Sequence, residues 1–167
     1  MILICYDGSD DAKAAITAAG SLFEGRPATI LNVWEPFTDL LARSPGAFEG
    51  IAGVSDSDDL DKAGRKDAER TAKQGAELAG QAALEASPVT AVRAISVAET
   101  VVAEGNRVDA SAIVMGSRGL GGLGSFFLGS VSHAVLQRAD RPVLVVPSLE
   151  VAQRRRDKLG AGSEKQS

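Results

Sequence analysis

The sequence predicts an α/β chain: a five-stranded parallel, doubly wound, Rossmann-like sheet with helices on both faces. Three observations predict it. Short runs of Val, Ile and Leu recur without polar alternation, as strands buried on both faces require. Between them lie segments of helical periodicity, several opened by Ser or Asp. The resulting order, β-α-β-(loop)-α-β-α-β-α-β, implies right-handed crossovers within one sheet. A length of 167 residues suits a single domain with a sizeable core.

The first strand is Ile2 to Tyr6, stopped by Asp7-Gly8-Ser9. Ser9 is a good N-cap, and Asp10 and Asp11 favour the positive end of a helix dipole. That helix carries Ala12, Ala15, Ile16 and Ala19 on one face and ends near Gly20 or Gly25. Ala28 to Trp34 is the second strand, closed by Glu35-Pro36. Periodicity then fails from Phe37 to about Ser57, and a variable loop insertion, mobile or lid-forming, is expected there. Asp58 to Ala86 reads as one long helix ended by Pro88, with Lys62, Arg65, Lys66, Glu69, Arg70 and Lys73 on a solvated face. Val89 to Ile95 follows as a weaker strand. Ser96 and Glu99 form a capping box for the next helix. Ala110 to Met115 is the fourth strand, Ser130 to Ala139 the last helix of the domain, and Pro142 to Val146 the fifth strand. Residues 1–147 thus make the domain, and 148–167 are expected to be a polar, disordered tail containing Arg154-Arg155-Arg156.

Composition narrows the function classes. A net charge of −4 argues against a nucleic-acid binder. No apolar run is long enough to cross a membrane, and Met1 leads straight into an apolar run without a charged leader, so a cytoplasmic location is expected. Cys5 is the single cysteine, which excludes an internal disulfide or a thiolate cluster. It reads as a buried, inert thiol.

The stretch after the fourth strand carries the chemistry. Six glycines lie from Gly116 to Gly129, where bare backbone amides can surround an anion. A Walker A motif is excluded, because no Lys lies between Lys73 and Lys158. A dinucleotide pattern, G-x-G-x-x-G, occurs at Gly119 to Gly124, but it follows the fourth strand and leaves little chain for a second mononucleotide half. A third pattern, G-x-x-G, nine residues, then G-[S/T], fits as Gly116-Ser117-Arg118-Gly119, Leu120 to Leu128, and Gly129-Ser130. In this reading Gly121, Gly122 and Gly124 give the intervening loop its freedom.

That spacing resembles the ATP-binding branch of the universal stress protein family. I-L-I-C-Y-D-G-S at the first strand, I-V-M-G-S-R-G before the loop and G-S-V-S-H-A-V-L-Q-R-A-D-R-P-V-L-V-V-P after it carry the resemblance from Met1 to about Pro147. It implies an adenine nucleotide alpha hydrolase-like sheet, bound ATP (or ADP or AMP) with Mg²⁺ bridging phosphates, and a homodimer through the edge strand 142–146. By resemblance, Asp7 and Val33 line the adenosine end of the pocket, and Met115 and Gly116 lie beside the sugar or base. Ser117, Arg118, Gly119, Gly129, Ser130, Val131 and Ser132 hold the phosphates. Elementary physics agrees, since amides at a helix start point at negative charge and an arginine adds a charge-assisted bond. Asp7 can also serve as a turn residue, Ser130 as an N-cap, Arg118 as a solvent-facing side chain and His133 as a surface residue.

Three functions follow. One is a regulatory, stress-associated nucleotide-binding module acting as a homodimer. Another is a slow ATPase or phosphotransferase. The third is a dimerisation module with no nucleotide. Efficient phosphoryl transfer needs metal ligands and a group that orients the nucleophile. No acid lies between Asp109 and Asp140, so no catalytic residue and no protein metal site is expected. The protein partner and the stress are not legible.

Overall fold

The computed structural model describes residues 1–43, 57–120 and 128–163. Five strands alternate with helices: β1 (Ile2–Cys5), α1 (Asp10–Leu22), β2 (Pro27–Trp34), α2 (Phe37–Arg43), α3 (Ser57–Gln81), β3 (Glu85–Val92), α4 (Val97–Arg107), β4 (Ala112–Gly116), α5 (Ser130–Arg138), β5 (Val143–Val146) and α6 (Leu149–Ser163). The sheet is parallel throughout, in the order β3-β2-β1-β4-β5. The chain winds outward from β1 to β3, returns, and resumes on the other side of β1. That reversal between β1 and β4 opens a crevice at the carboxyl ends of the strands.

Strand alternation divides the core into two layers. Ile2, Ile4 and Tyr6 pack with Ile16 of α1 and Ala79 of α3 on one face. Leu3, Leu31, Ile113 and Met115 pack with Val101 of α4 and Val135 of α5 on the other. Small residues on α1 and α3 let helices lie close to the sheet, which is why an aromatic-poor sequence still fills its core. The caps at Ser9 and Ser96 form as their sequences imply, accepting from Ala12 N at 3.2 Å and Glu99 N at 3.1 Å.

Three expectations are corrected. First, Phe37 to Arg43 is a helix rather than loop, and its cap comes from far along the chain. Asp61 on α3 accepts from Phe37 N at 2.5 Å and from Thr38 Oγ1 at 3.4 Å. The rest of the expected insertion, residues 44–56, lies outside the described residues. Second, the long helix stops at Gln81, and the strand begins at Glu85 with Pro88 inside it. Leu84 N donates to Ala79 O and Ala83 N to Gly80 O while Ala83 sits at φ 62°, a Schellman turn with alanine where glycine is usual. Pro88 is tolerated because β3 is an edge strand. Third, the tail forms α6 through Ser163. Val151 is buried, Ser148 Oγ accepts from Val151 N at 3.4 Å, and Arg154–Glu150 and Gln153–Asp157 pair one turn apart.

One side chain joins the two ends of this second layer. Arg141, just before β5, donates from Nη1 to Gly105 O and Ala110 O, each at 2.8 Å, and from Nη2 to Asn106 Oδ1. Gly105 O, near the end of α4 and already accepting Ala110 N, thereby gains a second donor, and Ala110 O ahead of β4 gains one. Replacing Arg141 by Met is expected to lower stability by about 1–3 kcal/mol, because Ala110 O and Asn106 Oδ1 lose this donor and Gly105 O keeps only Ala110 N. Urea unfolding of both chains checks it, and an unchanged midpoint would refute it.

Candidate functional site

The crevice is a cleft of ≈ 470 Å³ at the ends of β1, β2 and β4, closed on one side by α4 and on the other by the start of α5. Ten of the eleven sequence-predicted residues line it: Asp7, Val33, Met115, Gly116, Arg118, Gly119, Gly129, Ser130, Val131 and Ser132. Ser117 does not. Its side chain is buried behind the cleft and donates to Asp11 Oδ2 at 2.6 Å. Ser117 lies just past the end of β4, outside the strand alternation that would put it on the Met115 face, and its Oγ meets the first turn of α1 instead.

The glycines set how closely the segments approach. A Cβ on Gly116 would fall 2.8 Å from Asp11 C and 2.9 Å from Ala12 N, so the end of β4 rests directly on the start of α1. A Cβ on Gly119 would fall 2.6 Å from Asp7 Oδ2. Asp7 itself ties the two loops together, accepting from Ser9 N at 3.0 Å and from Leu120 N at 3.2 Å.

The two ends of the nine-residue spacer are stitched to each other. Gly129 N donates to Ser117 O at 2.8 Å. Ser132 Oγ lies 3.0 Å from Gly116 O and 3.2 Å from Ser117 O, so its hydroxyl hydrogen serves those carbonyls. Within the spacer, Gly121, Gly122 and Gly124 lie outside the described residues. Gly129, not Ser130, is the N-cap of α5, and it supplies no side-chain cap. The first intrahelical bond is His133 N to Gly129 O, which leaves the amides of Ser130, Val131 and Ser132 without intrahelical acceptors. His133 is exposed and does not line the cleft.

Among the described lining residues, Arg118 is the one cation and Asp7 the one carboxylate. The Arg118 side chain is only 17% exposed, and its Nε is buried without a hydrogen-bond partner, 3.7 Å from Asp11 Oδ2. Asp11 is 5% exposed. Burial, the largest influence, raises its pKa, yet hydrogen bonds from Ser117 and Ser148 and the Arg118 charge together carry it below the ordinary carboxylate value.

Several cleft residues carried weak sequence signals or none. Asn32 interrupts an otherwise apolar strand, and its Nδ2 donates to Tyr6 O at 2.9 Å. Val97 and Val101 form a wall but read in sequence as an ordinary core face. Cys5 also lines the cleft, and burial, with a smaller contribution from the Asp7 charge, pushes its thiol up to about 12. It remains a protonated thiol at neutral pH. No described helix is long and apolar enough to cross a membrane.

Residues 1–147 match the family model described as Universal stress protein family. The chain is 35% identical over 147 residues to the universal stress protein in the QAH/OAS sulfhydrylase 3′ region of Thermus aquaticus, covering 87% of this chain and 96% of the relative. Among solved structures it superposes on the hypothetical protein MJ0577 with a TM-score of 0.68, at 20% identity over 87% of this chain and 94% of the other. It also superposes on a universal stress protein from Archaeoglobus fulgidus in complex with dAMP, with a TM-score of 0.58 at 21% identity over 87% and 95% of the two chains.

The Asp11 arrangement fixes a pH dependence. Its folded pKa lies below its unfolded value, so its contribution is complete above the ordinary carboxylate range and is lost as pH falls through the folded value. Asp11→Asn is expected to destabilise the neutral protein by about 1–3 kcal/mol. The gap to the parent should be narrower at an acidic pH below the folded value, where the parent carboxyl is protonated too. Urea unfolding at both pH values tests this, and an equal gap at both would refute it.

Proposed function

The chain belongs to the universal stress protein family, and we propose that it is an ATP-binding member whose cleft holds the nucleotide for regulation rather than for turnover. The single observation that carries this reading is Arg118. It lines the cleft as the one cation among the described lining residues, its Nε turned toward Asp11, beside an uncapped helix start, and an anion in the cleft would meet both the cation and the free amides. Leu31, Val33, Val97, Val101 and Met115 offer an apolar wall suited to an adenosine group, with Asp7 and Asn32 at hand for polar contacts. The phosphates lie with Arg118, Gly119 and the amides of Ser130 to Ser132. Gly129 gives them room, and Ser117 contributes from behind through its carbonyl rather than by contact. A universal stress protein of this fold in complex with dAMP supports an adenine nucleotide as the ligand class.

Binding is favoured over chemistry by the fate of the carboxylates. Both Asp7 oxygens accept backbone amides, and Asp11 is buried behind Ser117. Neither is placed to orient an attacking water, so hydrolysis is slow at most. Among the described residues no group of three acidic, His or Cys side chains is gathered to hold a metal. Mg²⁺ would therefore ride on the phosphates with few protein ligands. A homodimer completes the reading: β5 is an edge strand of Val and Leu, half-buried in one chain, and a second β5 would cover it. A cytoplasmic setting suits such a module.

Mass spectrometry of the denatured, purified protein is expected to detect released adenine nucleotide. ATP at about a hundred times its Kd should raise Tm by about 5–10 °C. Gly119→Val should abolish that rise, since its Cβ would collide with Asp7. Absence of both nucleotide and shift would remove the nucleotide reading and leave the bare dimerisation module. Sedimentation equilibrium at high micromolar concentration should give twice the chain mass, and a monomer there would refute the edge-strand dimer.

A further inference from the structure

We propose that Asp11, which does not line the cleft, is a positioning residue that sets the phosphate end of the site by holding Ser117 and Arg118 from behind. The inference rests on the nucleotide reading and assigns a role to a residue that reading does not use.

Three observations converge on this carboxylate. Its Oδ2 accepts the Ser117 hydroxyl at 2.6 Å, a short bond in a buried setting. The same oxygen lies 3.7 Å from Arg118 Nε, and no hydrogen bond to a described residue holds that guanidinium otherwise. Its backbone forms the floor under Gly116, where a Cβ would come within 2.8 Å. Ser117 then passes the constraint onward, because its carbonyl accepts Gly129 N at 2.8 Å and lies 3.2 Å from Ser132 Oγ. The cation and the uncapped helix start are thus referred to one buried charge.

A carboxylate suits this duty better than an amide. Its side-chain neighbours donate: the Ser117 hydroxyl bonds to it and the Arg118 guanidinium lies beside it. An ionised carboxylate is acceptor-only, whereas Asn would turn an NH₂ group toward some of those donors. A flexible arginine ordered before binding costs the ligand less entropy than one ordered by it. The effect of the carboxylate belongs to the phosphates and not to the nucleoside, because that group acts on the cleft through Ser117 and Arg118.

The test is calorimetry of the full chain with Mg²⁺–ATP, and with adenosine by competition. The parent, Asp11→Asn, Ser117→Ala, Arg118→Gln and the double variant Asp11→Asn/Arg118→Gln are compared. Asp11→Asn is expected to weaken ATP roughly five- to tenfold, the loss of one pre-ordered side chain, while adenosine stays within about twofold. The double variant should bind ATP no more weakly than Arg118→Gln. Ser117→Ala should lower the same ratio of ATP to adenosine affinity by a smaller factor, and it decides the matter if Asp11→Asn does not fold. An unchanged ratio in these variants, or fully additive losses in the double variant, would overturn the positioning role while leaving nucleotide binding intact. A parent chain that binds neither ligand would overturn the nucleotide reading and this inference with it.

Discussion

The close abutment of the end of β4 on the first turn of α1 is the constraint from which the rest of the site follows. Gly116 has no room for a side chain because Asp11 and Ala12 occupy the space. That contact spans the point where the winding of the sheet reverses, which would otherwise be an open seam. Once it is made, Ser117 must turn away from the cleft and toward Asp11. Its carbonyl is left to receive Gly129, and the start of α5 is thereby brought against the same seam. The spacing of Gly116, Gly119 and Gly129 is thus a statement about backbone packing before it concerns any ligand. At Gly116 and Gly119 a Cβ would collide with the first turn of α1 and with Asp7, and at Gly129 it would press tightly on Ser117 O at 3.1 Å.

Much of the fold was legible because its signals are local. Continuous apolar runs gave β1, β2, β4 and β5, and Ser9 and Ser96 marked helix starts by chemistry confined to three residues. The failures share a different physics. The α2 helix depends on Asp61, more than twenty positions away, and no local pattern announces it. The turn after α3 uses Ala83 in a left-handed conformation, so the glycine that would have signalled the end of that helix is absent. Once the turn was missed, Pro88 looked like a terminator rather than an edge-strand residue. Among the described residues of α6, Val151 is buried and Arg154 pairs with Glu150 at the surface, in a polar sequence with little periodicity to read.

At the site the same division holds. The glycine spacing marks the strand–loop–helix geometry at Gly116, Gly119 and Gly129, and the family resemblance supplied the other candidates, ten of the eleven lining one cleft. The orientation of individual side chains was not encoded. Ser117 and Ser132 look alike in sequence, yet one serves a buried carboxylate and the other backbone carbonyls. Asp10 and Asp11 look like equivalent dipole partners. Asp10 pairs with exposed Lys13, while Asp11 is sealed behind the phosphate end of the cleft. Which of two adjacent acids is buried depends on the register of α1 against β4, a tertiary fact.

The two edges of the sheet carry this reasoning to assembly. At one edge β3 presents Glu85, Ser87, Pro88 and Thr90, residues that discourage a further strand. At the other, β5 presents Val143, Leu144, Val145 and Val146 with no charge or proline among them. The asymmetry is what a sheet extended on one side only would need. That favoured edge is also tied to the cleft, since Ser117 N donates to Val146 O at 2.8 Å and Ser148, two residues on, is among the donors acting on Asp11. Ser117 therefore joins three things at once: the inner edge of β5, the start of α5 and the carboxylate behind Arg118.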